Sequence, residues 1–174
     1  TDRAALAEKK RIGAASCHVN YGFYFGATNT NIEELKQIGP EDACGIKVFM
    51  GSSTGNMLVD DPLALERIFG EARVHIVAHC ESSPLIWENE KRARERYGDA
   101  VPIELHPEIR SAEACYRSSS FAVELAKKHG TRLHILHLTT AREMALFEPG
   151  PIEKKKITAE VCTHHLWFDQ SATR

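Results

Sequence analysis

Short apolar runs alternate with charged, helix-patterned stretches along the chain. Five runs read as strands: Val19 to Phe25, Gly45 to Met50, Val74 to Cys80, Leu133 to Leu138 and Ile157 to Cys162. Each is rich in Val, Ile, Phe or Leu and too short for a globular helix. Helix start signals stand between them. Thr30 with Glu33 forms a capping box ahead of Leu35 and Ile38. Asp61 and Pro62 supply an N-cap and a first-turn proline ahead of Leu65, Ile68 and Phe69. Ser83 with Pro84 repeats that device before a charged stretch ending near Tyr97. Ser111 opens a longer helix that closes on Lys128 and His129, with Gly130 in the stop position. Thr140 with Glu143 caps a further helix directly after a strand.

Strand and helix alternating every ~25–30 residues imply parallel strands joined by right-handed crossovers, hence an α/β fold. The longest gap, Cys80 to Leu133, holds an insertion around Asn89 to Ile109. A doubly wound sheet and a (β/α)8 barrel both fit this pattern, and five strands are too few to close a barrel of eight. The chain carries no internal repeat or low-complexity segment.

Composition narrows the function classes. A chain of 174 residues with 43% hydrophobic content can build the core of a single domain. The net charge of −2 and the scatter of basic residues disfavour nucleic-acid binding, which needs a concentrated basic footprint. The run Lys154 to Lys156 reads as a solvated loop. No apolar run approaches the ~18 residues of a membrane helix, and no secretory leader pattern opens the chain. A cytoplasmic protein is expected, with no membrane partner. The 5 cysteines form no CxxC pair, so they read as reduced thiols rather than zinc-ribbon ligands.

In parallel α/β proteins the chemistry gathers at the carboxyl ends of the strands. Those ends carry Lys47, His79, His137 and the pair His164-His165. A lysine inside an apolar strand is costly if charged and unpaired. It either snorkels or pairs with an acid, or it stays neutral and reacts with carbon dioxide to form a carbamate that can bridge metals. His79 alone could be a packed core histidine. His134 and His137 lie three apart on a strand and so point to opposite faces; His137, nearer the carboxyl end, is expected at the site and His134 in packing or at the surface. Together Lys47, His79 and His137 suggest a metal more than any one does. Competing chemistries are weaker. Gly51-Ser52-Ser53-Thr54-Gly55 lacks the Gly-Lys-Ser/Thr ending of a phosphate loop. There is no Gly-x-Ser-x-Gly elbow, and Cys80, adjacent to His79, would point away from it as a nucleophile.

Four segments carry a resemblance: Gly-Ile-Lys-Val-Phe-Met-Gly-Ser-Ser-Thr-Gly (45 to 55), Val-Ala-His-Cys-Glu (77 to 81), His-Ile-Leu-His-Leu-Thr-Thr (134 to 140) and Glu-Val-Cys-Thr-His-His-Leu (160 to 166). With Asn20-Tyr21-Gly22-Phe23-Tyr24, and in this order, they resemble dihydroorotases, cyclic amidohydrolases of the amidohydrolase superfamily. The resemblance implies a partial (β/α)8 TIM-type barrel, roughly strands three to seven. It implies two zinc ions bridged by carboxylated Lys47, with His79 and His137 as ligands. It places Glu160, His164 and His165 along the site or behind its ligands. Thr163 stands where family members often have proline, which loosens the roles assigned to that histidine pair.

The same resemblance implies that the first-strand His-x-His pair and the eighth-strand aspartate, the general acid/base, lie outside residues 1–174. The chain is therefore expected to be a barrel segment truncated at both ends and inactive alone. The implied reaction is reversible hydrolysis of the cyclic amide of dihydroorotate to carbamoyl-aspartate in pyrimidine biosynthesis. A hydantoinase or allantoinase would use the same residues on another ring, and a non-catalytic homologue would serve as a scaffold. The expected partner is a small cyclic amide, in a protein that can form homo-oligomers.

Overall fold

The computed structural model describes residues 1–51, 53 and 55–173; Ser52 and Thr54 of the Gly-Ser-Ser-Thr-Gly run, and Arg174, lie outside the described residues. Five strands form one sheet: β1 (Tyr24–Gly26), β2 (Gly45–Phe49), β3 (Ile76–His79), β4 (Leu133–Ile135) and β5 (Ile157–Ala159). All pairings are parallel, and the strands lie side by side in chain order. A doubly wound sheet reverses its strand order at a switch point, whereas an arc of a barrel advances in one direction. The order therefore selects the barrel arc, which sequence pattern had left open. Every strand is shorter than its hydrophobic run: β2, β4 and β5 lose its last residues, β3 loses residues at both ends, and β1 keeps only the end of its run and adds Gly26.

Among the described residues six α-helices accompany the strands: α1 (Arg3–Ser16), α2 (Ile32–Leu35), α3 (Pro62–Glu71), α4 (Ser83–Tyr97), α5 (His106–Ile109) and α6 (Ala112–His129). The Asp61 and Ser111 caps are as expected, accepting from the N–H groups of Leu63 and Ala114. Gly130 ends α6 at φ 68°, the left-handed conformation that glycine adopts without a Cβ penalty. Three start signals shift. Ser82 rather than Ser83 caps α4, with Pro84 still in the first turn. Asn31 rather than Thr30 precedes α2, while the Thr28 hydroxyl accepts from the N–H groups of Thr30 and Asn31. After β4 the chain makes a 3-10 segment (Ala141–Leu146) instead of an α-helix, and Thr140 donates to the Glu143 carboxylate at 2.8 Å rather than capping the backbone. The unexpected element is α1, whose buried residues are only Leu6 and Gly13, too few to print an amphipathic stripe.

The pleat sorts the chemistry from the core. Ile46, Ile76, Leu133 and Ile157 form one row, and Val48, Ala78, Ile135 and Ala159 another. Most of these side chains are fully buried, joining Leu65, Ile68 and Phe69 of α3 and Ala122, Val123, Leu125 and Ala126 of α6 in one cluster. Each such large side chain contributes roughly 1.5–3 kcal/mol of burial free energy. The opposite face holds the row Lys47, Val77, His134 and Thr158. His79 lies one pleat further toward the carboxyl ends, beside Phe49.

The strand ends are held close together by small residues. A Cβ on Gly51 would lie 2.2 Å from the Glu81 carbonyl oxygen, a backbone atom that cannot swing aside. Gly51→Ala is therefore expected to destabilise the fold by roughly 1–3 kcal/mol, an overpacking cost, and to lower Tm by roughly 2–4 °C for each kcal/mol. An unchanged thermal melt would show that the β2 and β3 ends can separate freely.

Candidate metal centre

Lys47 sits mid-strand on β2, half-buried, with its Nζ 4.3 Å from the Phe49 ring centroid. Burial pushes its amine down from 10.5 to about 8, against the opposing pull of the Glu160 carboxylate. The apolar strand thus does to Lys47 what carbamate formation requires: it raises the fraction of free amine near neutral pH.

His79 ends β3 and His137 follows β4. His79 Nδ1 lies 3.0 Å from His137 Nε2, and the two rings meet edge to face with centroids 4.9 Å apart. His79 Nε2 is 2.8 Å from Glu81 Oε2, and Arg110 donates to the same carboxylate at 3.1 Å. An ionised carboxylate only accepts, so His79 carries its proton on Nε2 and turns the Nδ1 lone pair toward His137. Burial, and then the nearby His79, hold His137 below the usual imidazole range, which favours the neutral ring that metals bind.

This donor set fits a metal. Two imidazole nitrogens on a tetrahedral zinc stand ~3.4 Å apart, for bonds of ~2.0–2.1 Å. The observed 3.0 Å is a few tenths shorter, the separation of one proton where an ion would sit. The Glu81–His79 contact is the carboxylate–histidine support that metal-binding imidazoles use. Glu81→Gln preserves shape but weakens that acceptor beside Arg110, so metal affinity should fall ~10–100-fold. Unaltered affinity in an equilibrium titration would remove Glu81 from the support of His79.

One expectation about faces is corrected. His134 does share the sheet face of Lys47, donating its Nε2–H to Glu160 Oε2 at 3.2 Å, with Nδ1 2.8 Å from Thr158 Oγ1. His137 reaches that face too, because its φ of 38° breaks the alternation just beyond β4. A positive φ at a non-glycine residue is uncommon and costs of order 1–3 kcal/mol. Sequence spacing alone assumes an unbroken pleat and so put the two histidines on opposite sides. Glu160 lies on the same edge as His134. His164 and His165 sit together on a 3-10 turn (Thr163–Leu166), with ring centroids 4.3 Å apart, and His165 Nδ1 contacts the Leu138 carbonyl at 3.2 Å.

The structure gives a second reason to set Cys80 aside as a nucleophile. Cys80 is buried, and burial pushes its thiol up to about 12. Two groups went unassigned in the sequence, Glu81 and Arg110. Glu81 carried a signal, lying two residues after His79 at a strand end. Arg110 carried none, since α4 must first bring α5 back; Asn89 does so by donating to the carbonyls of Glu108 and Ile109 at 3.2 and 3.1 Å. No described helix is long and apolar enough to cross a membrane.

No family model matches the chain. Among curated proteins, it is 30% identical over 174 residues to a dihydroorotase of Methanothermobacter thermautotrophicus, covering 99% of this chain and 38% of that protein. It is 26% identical over 172 residues to an allantoinase of Deinococcus radiodurans, covering 95% of this chain and 38% of that protein. The chain thus spans about 38% of the length of these relatives. Among solved structures, an L-hydantoinase (dihydropyrimidinase) from Arthrobacter aurescens aligns with a TM-score of 0.82 at 23% identity, over 92% of this chain and 36% of that one. A D-hydantoinase aligns with a TM-score of 0.81 at 19% identity, over 99% and 38%. The structural alignments establish the partial barrel. Relatives named for two cyclic amide hydrolases, matched along nearly the whole chain, support a place for it in the cyclic amidohydrolase superfamily.

Proposed function

We propose that this chain supplies metal-binding residues of a dihydroorotase, which opens the cyclic amide of dihydroorotate and closes carbamoyl-aspartate in reverse. The observation that carries the reading is the convergence of His79 Nδ1 and His137 Nε2, backed by Glu81 and Arg110, on the sheet face that desolvates Lys47. Lys47, as a carbamate, would hold two zinc ions together with His79 and His137. When bound, such ions lower the pKa of a water and polarise the amide carbonyl. The chain's own residues set the stage. Glu81 fixes the His79 tautomer, and the strained backbone at His137 presents its ring. Thr158 and Glu160 hold His134 at the edge of the same face. The dihydroorotase relative at 30% identity favours this ring.

The second reading is allantoinase, favoured by the relatives of that name, including the Deinococcus protein. The experiment that separates them is ring opening of dihydroorotate, allantoin and hydantoin by the intact protein with zinc and bicarbonate. Turnover of dihydroorotate above the other two supports the proposal. Turnover of allantoin alone selects the second reading, and turnover of no ring contradicts both.

The Lys47 amine gives a pH test. Free amine is the nucleophile toward carbon dioxide, and with a value of about 8 rather than 10.5 its fraction rises through the pH 7–9 window. At pH 7 roughly a tenth of Lys47 is unprotonated, against less than about a thousandth for an ordinary lysine. Bicarbonate-dependent reactivation of metal-stripped protein should therefore steepen through pH 8; a midpoint near 10.5 would show that Lys47 is not desolvated. Linkage gives the same sign. Between about 8 and 10.5 the unfolded chain holds the proton that the folded chain has lost, so stability rises with pH there.

A further inference from the structure

Beyond the Lys47 centre, the structure assigns a second metal site, a thiolate–imidazole cradle for zinc formed by Cys162, His164 and His165. One ligating atom from each of the three lies within 4.8 Å of the others. The turn creates this grouping. Cys162 caps the 3-10 segment with extended backbone, and its carbonyl accepts from the His165 N–H at 3.0 Å, folding the Cys-Thr-His-His run back on itself. The His164 carbonyl then accepts from Trp167 at 3.2 Å and Phe168 at 2.9 Å, which fixes the far side of the turn. Cys162 and His165 are half-buried and His164 is exposed, so an ion can enter from solvent.

The chemistry selects the ligand class. A sulfur with two imidazoles is a borderline-soft donor set, suited to zinc and not to magnesium or calcium, which take oxygen. In a tetrahedral zinc site these donors stand ~3.4–3.6 Å apart, so closing the three donors onto an ion completes it and leaves a fourth position for water. The His165 Nδ1–H donates to the Leu138 carbonyl at 3.2 Å, which leaves Nε2 as the ring's unprotonated nitrogen. That bond also ties the cradle to the residue after His137. This site shares no ligand with the Lys47 centre and does not depend on the function proposed above.

Cobalt(II) tests it, because cobalt bound to a thiolate gives a near-ultraviolet charge-transfer absorption that lysine carbamate and imidazole ligands cannot give. The intact protein, stripped of metal and titrated with cobalt(II) under reducing conditions, should show that absorption. It should persist in Lys47→Ala and vanish in Cys162→Ser, with bound metal lower by one ion per chain in the latter. His164→Ala, an exposed change with little bearing on folding, should weaken the absorption in the titration at least ~10-fold. Absence of the absorption in the wild-type protein, or its survival in Cys162→Ser, would overturn the assignment.

Discussion

Lys47→Ala is expected to lose the metal held at the Lys47 centre, keeping at most the one ion of the Cys162 cradle, and to bring cyclic-amide turnover to background while leaving the fold in place. The side chain stands on the sheet face opposite the core cluster, so its loss opens no cavity among Ile46, Val48, Ile76 and Ala78. Removing a desolvated amine also removes an unfavourable burial rather than a stabilising contact, so the thermal melt should hold or rise slightly below pH 8. Activity should fall much further than the ~10–100-fold that loss of an outer partner costs, because in the proposed centre Lys47 is the ligand common to both ions. Metal analysis, circular dichroism and a turnover assay on one preparation separate these effects. A folded Lys47→Ala protein that keeps its metal and its activity would remove Lys47 from the centre.

The second large effect is expected at His137. His137→Ala removes one of two converging nitrogens and should cost metal affinity well beyond ~100-fold, whereas His134→Ala should stay within the ~10–100-fold of a supporting residue. Alanine at φ 38° keeps the backbone strain, so His137→Gly is the matched control: it relieves strain and still lacks the ring. Equal metal loss in His137→Ala and His137→Gly shows that the ring, and not the turn, holds the ion. A larger loss in His134→Ala than in His137→Ala would make His134 the ligand, which its place in the Lys47 row makes a fair test.

What could be read from the sequence was whatever a local rule governs. The five strands announced themselves as apolar runs, and Asp61, Ser111 and Gly130 marked helix ends through chemistry that acts within one turn. Lys47 stood out because an amine in an apolar strand conflicts with its surroundings. Barrel and doubly wound sheet could not be told apart locally, since strand order is a property of five segments at once. The face of His134 was misjudged for a related reason: the single residue at positive φ, His137, resets the alternation between the two histidines, and nothing in Leu-His-Ile-Leu-His demands it. Arg110 stayed invisible because its tie to Glu81 spans 29 positions and passes through the α4–α5 packing. The α1 helix escaped because most of its surface is exposed and its start rests on the Asp2 side chain accepting from Ala5 at 2.8 Å.

The most direct test of the metal centre is the state of Lys47 in the intact protein prepared with zinc and 13C-labelled bicarbonate. The account predicts one labelled carbamate resonance per chain that is absent from Lys47→Ala, exchanges out when metal is chelated, and returns together with ring-opening activity. Fully active, zinc-loaded protein with no labelled carbamate, or a resonance that persists in Lys47→Ala, would contradict it.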